Sequence, residues 1–260
     1  MLEAKLSEAA TLKKLLDSIK ELVTDANFEC NEEGINLQAM DNSHVALVAV
    51  ELQRAGFKKF RCDHPMPLGV NIATFTKVLR CAKDDDTCTL KASDQVDVLN
   101  LVYESRNTDR IAEYDMKLMD IDSDQLGIPE TEYDARVTMS SAEFARVVRD
   151  LMQLGESVRI DVSKEGVRFA TDGDASNGSV LLKHSDGSAP DDGKTPSVKI
   201  EMNQHVSLSF SLKYLVNFSK SMNLTNKVQL MMSNDVPLLV NYEFGQGHIR
   251  YYLAPKIGDD

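Results

Sequence analysis

An internal repeat constrains this chain more than any other feature of its sequence. "EEGINL" at 32–37 and "KEGVRF" at 164–169 coincide at an offset of 132. Carried without gaps, that offset sets Leu12, Leu15, Leu16 and Ile19 on Phe144, Val147, Val148 and Leu151. It also sets Phe28 on Ile160, Ile35 on Val167 and Leu37 on Phe169. A second register, at 140, aligns Phe75 with Leu215, Leu90 with Leu230 and Val96 with Val236. The slip between registers calls for extra residues in the second half, and the polar segment "KHSDGSAPDDGKTPS" (183–197) is a natural place for them. One such match could arise from chance patterning. Two in order point to a duplicated domain of about 120 to 130 residues.

Each half reads alike. Leu12, Leu15, Leu16, Ile19 and Leu22 recur at helical spacing, as do Phe144, Val147, Val148 and Leu151. Ser140-Ser141 ahead of Glu143 is an N-cap signal with an acid in the first turn. "NFECNEEGINLQAM" and "VRIDVSKEGVRFAT" alternate like paired strands around a Glu-Gly turn. A second helix is expected around Ile72–Cys81 and again around Leu212–Met222. "TCTLKASDQVDVLNLVYE" and "KVQLMMSNDVPLLVNYEF" then close each half with strands. The expected class is α+β, with two helices per half on mainly antiparallel sheet.

The net charge of −12 argues against nucleic acid until its distribution is considered. The four expected helices carry Lys13, Lys14, Lys20, Lys77, Arg80, Arg146, Arg149, Lys213 and Lys220, against only Asp17, Glu21, Glu143 and Asp150. They sum to +5 in a chain whose remainder carries −17. Bases three or seven apart share one helix face. For a single helix a solvated charged surface is the commoner explanation. Four of one sign in so acidic a chain suit a phosphate backbone, which is bound regardless of base sequence. No zinc finger, helix-turn-helix or RNA-binding aromatic motif points to base readout.

Other classes find little support. There is no P-loop, GxSxG, HExxH or strand-linked GxGxxG. A phosphate-processing enzyme that holds DNA on its basic faces stays open as an alternative from another class; metal-dependent cleavage of DNA by the pure protein would favour it. Cys30, Cys62, Cys81 and Cys88 form no CxxC pair, so they read as reduced structural thiols, and no cofactor or metal is expected. No apolar run reaches the length of a membrane span, and the amphipathic opening with its interleaved acids is unlike a signal peptide, so an intracellular protein is expected.

One stretch resists the pattern. In "MDIDSDQLGIPETEY" (119–133), acids surround Leu126-Gly127-Ile128-Pro129. Asp120, Asp122 and Asp124 imitate the opening of a calcium loop, but Gln125 stands where glycine is needed and Thr131 where glutamate is needed. A solvated linker and a docking segment both remain.

Several strings together decide more. "GINLQAMDNSHVALV" (34–48), "FRCD" (60–63), "YDMKLMDID" (114–122), "QLGIPE" (125–130), "EFARVVRDL" (143–151) and "YYLAPKI" (251–257) resemble the eukaryotic DNA sliding clamps, in order and across essentially the whole chain. The resemblance implies two similar clamp (processivity) domains, at 1–118 and 134–260, joined by an interdomain connecting loop at 119–133. It implies a homotrimeric ring around duplex DNA, in the nucleus, with the nine bases above facing the DNA. Subunits would join through Asp109–Lys117 of one copy, including Tyr114, and roughly Gly178–Lys183 of the next. Leu181 and Leu182 make that joint more apolar here than the family pattern suggests.

By the same resemblance, Met40, His44, Val45, Leu47, Leu126, Gly127, Ile128, Tyr133, Pro237 and Tyr252 would receive a partner peptide carrying a Gln-aliphatic-aromatic-aromatic motif. Leu253, Ala254, Pro255, Lys256 and Ile257 would pair with its backbone. Partners of that kind include DNA polymerases, flap endonuclease and DNA ligase, and an ATP-driven clamp loader would place the ring on DNA. Lys164 would accept ubiquitin or a related modifier. A subunit of a hetero-oligomeric, checkpoint-type clamp is the alternative within the family.

Overall fold

The computed structural model describes residues 1–95, 97–122, 126–185 and 197–257. Val96, Asp124, Gln125, Asp191, Asp192 and most of the polar segment at 183–197 therefore lie outside the described residues. The chain forms two compact units. One holds Met1–His44, Val48–Gly127 and Phe244–Ile249; the other holds Val45–Leu47, 128–243 and the residues from Arg250 onward.

In the first half the elements run β1 (Leu2–Leu6), α1 (Ala9–Ile19), β2 (Asp25–Asn31), β3 (Gly34–Met40), β4 (Ala46–Gln53), β5 (Lys59–Cys62), β6 (Met66–Asn71), α2 (Ile72–Leu79), β7 (Thr87–Ala92), β8 (Val98–Glu104) and β9 (Ile111–Lys117). Its strands lie in the orders β5-β1-β7-β8-β9 and β6-β2-β3-β4. The second half runs β10 (Ala135–Ser140), α3 (Ser141–Met152), β11 (Ser157–Val162), β12 (Gly166–Asp172), β13 (Asn177–Lys183), β14 (Lys199–Met202), β15 (Val206–Ser211), α4 (Leu212–Ser219), β16 (Lys227–Met232), β17 (Leu238–Phe244) and β18 (Gly247–Leu253). Here the orders are β14-β10-β16-β17-β18 and β15-β11-β12-β13. Strand for strand, the second half repeats the first. Among the described residues, each half has two α-helices on antiparallel sheet.

The registers match what the sequence predicts. α1 and α3 stand 132 apart, whereas α2 (Ile72–Leu79) and α4 (Leu212–Ser219), and likewise β7 and β16, stand 140 apart. The change falls between β13 and β14, on the polar segment. Both Glu-Gly turns exist for the same reason. A Cβ on Gly34 would lie 2.0 Å from the Leu52 carbonyl, and one on Gly166 2.2 Å from that of Leu182. No side chain fits where a third strand crosses so closely.

Helix boundaries are shorter than periodicity suggests. α1 ends at Ile19, so Leu22 packs from the turn beyond it. α2 stops at Leu79 rather than Cys81, and α4 stops at Ser219, continuing as a 3-10 turn over Lys220–Asn223. Leu12, Leu15, Leu16 and Ile19 are all buried in α1, as are Phe144, Val147, Val148 and Leu151 in α3. Within its own half, α1 packs beside α2 and α3 beside α4.

Tethers at the helix starts repeat as well. The Ala9 N–H donates to the Asp86 carbonyl at 2.8 Å, and its counterpart Ser141 donates to Asn226 at 3.0 Å. The Ile72 N–H donates to Thr24 and that of Leu212 to Glu156, each at 2.9 Å. These bonds occupy N–H groups that a helix start leaves unpaired. They explain how α1 and α4 begin without a side-chain cap, whereas Asn71 caps α2 and Ser140 caps α3.

Candidate nucleic-acid interface and docking segment

With their apolar stripes buried, the helices turn most of their bases outward. Lys14, Lys77, Arg80, Arg146, Arg149 and Lys213 are exposed, and Lys13, Lys20 and Lys220 are half-buried. Lys77 and Arg149 sit in the last turns of α2 and α3, and Lys20, Arg80 and Lys220 at C-caps, where the carbonyl end of the helix favours a cation. Not all nine are equivalent. The Lys13 ammonium donates to Asp84 Oδ1 at 2.7 Å and to the Ala82 carbonyl at 3.0 Å, and it holds the Asp84 carboxyl below the usual range. Lys13 thus ties α1 to the loop after α2. Lys20 pairs with Asp17 at 2.9 Å, and Arg146 with Asp150 at 3.8 Å. Among the described residues no ion pair is seen for Lys14, Lys77, Arg80, Arg149, Lys213 or Lys220.

Two of the terminal strands bear on assembly. β9 ends one sheet of the first unit and β13 ends one of the second. On β9, Ile111 is 68% exposed and Tyr114 half-buried against Tyr103, with ring centroids 5.5 Å apart. Just before that strand, Asp109 is exposed, and so is Lys117 at its end. On β13, Gly178, Leu181 and Leu182 are half-buried and Lys183 exposed. A Cβ on Gly178 would stand 2.6 Å from Leu154 Cδ1, so this glycine lets the partly exposed Leu154 pack close to the edge.

In the first unit Leu126 is 47% exposed and held by its backbone: its N–H donates to Gln38 Oε1, and Gln38 Nε2 donates to its carbonyl, both at 2.8 Å. Gly127 follows in open space. Met40 is half-buried, and His44 is exposed with φ 56°, the left-handed region.

The remaining candidates belong to the second unit. Val45, Ile128 and Pro237 are exposed; Leu47, Tyr133 and Tyr252 are half-buried. Burial pushes the Tyr133 hydroxyl above its ordinary pKa, and nearby Tyr252 adds to the effect. Leu253 is buried, leaving its main chain rather than its side chain for recognition. The Lys256 N–H is already committed to the Ser209 carbonyl at 2.8 Å, and its ammonium donates to Ser157 Oγ at 2.5 Å. Ala254 and Ile257 are exposed and Pro255 half-buried. Lys164 is exposed at the tip of the turn that Ser163 and Gly166 close with mutual backbone bonds.

All four cysteines are free thiols. Among the described residues no group of three or more His, Cys, Asp or Glu side chains could hold a metal ion. No described helix is long and apolar enough to cross a membrane.

A duplicated α+β domain whose paired helices carry a net positive charge in an acidic chain has the architecture of a DNA sliding clamp, a non-catalytic processivity factor. Comparison with known proteins agrees. The N-terminal domain of proliferating cell nuclear antigen matches residues 1–126, and the C-terminal domain of the same family matches 127–257. A proliferating cell nuclear antigen of Chaetomium thermophilum is 57% identical over the full length of both chains. The chain belongs to the proliferating cell nuclear antigen family, the sliding clamps of DNA replication and repair.

Proposed function

We propose that the chain acts as a closed homotrimer that encircles duplex DNA without sequence preference and tethers replication and repair factors to it. The observation that carries this reading is the segregation of charge: nine bases on four helices and their C-caps, most turned outward, in a chain of net charge −12. In a ring those faces would line the hole. Lys and Arg on a phosphate backbone displace counterions wherever they sit, so contacts can be weak and interchangeable while closure supplies retention. The terminal positions of β9 and β13 support self-assembly, because head-to-tail pairing of one copy's β9 with the next copy's β13 would cover both. Ile111, Tyr114, Leu181 and Leu182 would supply the apolar part of that joint.

The connector at 119–133 is the proposed docking segment between domains at 1–118 and 134–260. Leu126 and Ile128, with Met40, His44, Val45, Leu47, Tyr133, Pro237 and Tyr252, would take the aliphatic and aromatic anchors of partner peptides. The main chain of the C-terminal segment, apart from the committed Lys256 N–H, would pair with their extended part. DNA polymerases, flap endonuclease and DNA ligase are the proposed clients, an ATP-driven loader opens the ring, Lys164 is the modification site and the nucleus the compartment.

Retention on DNA tests the topological core of this reading. Loaded onto nicked circular DNA, the protein should co-elute with the circle through gel filtration and be lost when the DNA is linearised. Equal retention on both forms would mean ordinary binding and overturn encirclement.

A further inference from the structure

The connector begins on the terminal strand of a sheet. β6 lies at the end of its order, and the Met119 N–H donates to the Gly69 carbonyl of that strand at 2.9 Å. Two residues later the Ile121 carbonyl accepts from Asn27 Nδ2 at 2.8 Å. Asn27 and Gly69 are themselves cross-strand partners between β2 and β6, so one spot on the sheet grips the connector twice. Asn27 is only 7% exposed. Its amide is the polar member of the run Ala26-Asn27-Phe28, which is buried throughout. A buried donor left unpaired is costly, so the bond to Ile121 matters to the sheet as well as to the connector.

Gly69 is present for room. It is not among the glycines with positive φ, so its backbone does not demand glycine. A Cβ there would stand 1.9 Å from the Met119 carbonyl and 3.0 Å from Asn27 Oδ1. Any side chain would displace the connector's main chain and crowd the amide that holds it.

We propose that Asn27 and Gly69 form the seat of the connector and are positioning residues for peptide docking. Together with Gln38, which holds Leu126 by its backbone, they fix where the exposed apolar side chains of this segment stand. Anchoring these described points in advance spares a docking peptide part of the entropic cost of fixing them. The inference rests on the docking function proposed above.

The test uses the full-length protein and a synthetic peptide carrying the Gln-aliphatic-aromatic-aromatic motif, with Leu126→Ala as a docking control. Gly69→Ala introduces the clash. Asn27→Asp keeps shape but removes the donor and repels the Ile121 carbonyl, so it serves if Gly69→Ala misfolds. Both should bind the peptide about five- to twentyfold more weakly, the effect of one or two lost polar contacts. The Met119 amide should exchange with solvent at least about tenfold faster, while native mass and DNA retention stay at the wild-type level. Wild-type affinity in both variants, alongside weakened binding by Leu126→Ala, would overturn the seat alone. So would weaker binding with unchanged exchange at Met119, because the effect would then not pass through the connector. A wild-type protein that binds no peptide would remove the docking function itself, and the seat's role with it.

Discussion

Leu126 and Ile128 stand exposed on either side of Gly127, an unusual place for two large aliphatic side chains in an acidic segment. Replacing both with alanine should weaken binding of a partner peptide about 10- to 100-fold, as loss of apolar anchors does, and leave DNA retention intact. Unchanged peptide affinity in calorimetry would contradict the docking role. The thiols make a second residue-scale expectation. Burial pushes the Cys88 thiol up to about 12 and raises that of Cys30 further, whereas Cys81 is exposed. Only a thiolate is an efficient nucleophile. Alkylation of the native protein near pH 8 should therefore label Cys81 first and leave Cys30 and Cys88 protected until unfolding; rapid native labelling of Cys88 by mass spectrometry would contradict the packing. Because both pKa values are raised in the folded state, their contribution to stability is full below the ordinary thiol range and is lost progressively as pH climbs from that range toward the raised values. At this scale the sequence was partly opaque. It identified the bases, but nothing in it tied Lys13 to Asp84, residues 71 positions apart. Asn27 left a faint signal, as a polar residue in a strand whose neighbours on both sides are apolar, and Gln38 left none.

Helices and Glu-Gly hairpins were legible as elements because their periods, 3.6 and 2, survive in the apolar positions. β5 and β6 were not. β5 has no buried residue to mark it, and β6 contains Pro67 and Gly69, residues that read as breakers but are tolerated on a terminal strand. The ends of α2 and α4 also escaped, since Cys81 and Met222 continue the apolar pattern after the backbone has left the α-helix. The basic faces permit a direct test. Reversing charge at Lys20, Lys77, Arg149 and Lys220 should leave folding intact, flatten the salt dependence of DNA association and impair support of a polymerase on primed DNA. Normal polymerase support in that variant would contradict the assignment of these faces to DNA. Lys13→Ala should behave differently. Its lost ties to Asp84 and the Ala82 carbonyl should cost about 0.5–1 kcal/mol in urea unfolding, modest because Asp84 is largely exposed. No loss of stability would mean that this tie is not formed in solution.

At the scale of the whole molecule, the proposed ring depends on β9 and β13 being covered by neighbouring copies. Duplication accounts for two equivalent sets of basic helices in one chain, and the offsets of 132 and 140 made that much visible in the sequence alone. The sequence pointed to the proposed assembly only through the family resemblance, since edge strands carry no motif that says which copy they would meet. A chain of this class whose edges stayed open would present two templates for uncontrolled pairing. The most direct test of the account is the native mass by sedimentation at micromolar concentration. A single species of three times 28.9 kDa is predicted, with Tyr114→Ala shifting it toward monomer. A stable 28.9 kDa species in the unaltered protein would contradict the closed homotrimer and favour a subunit that assembles with different chains.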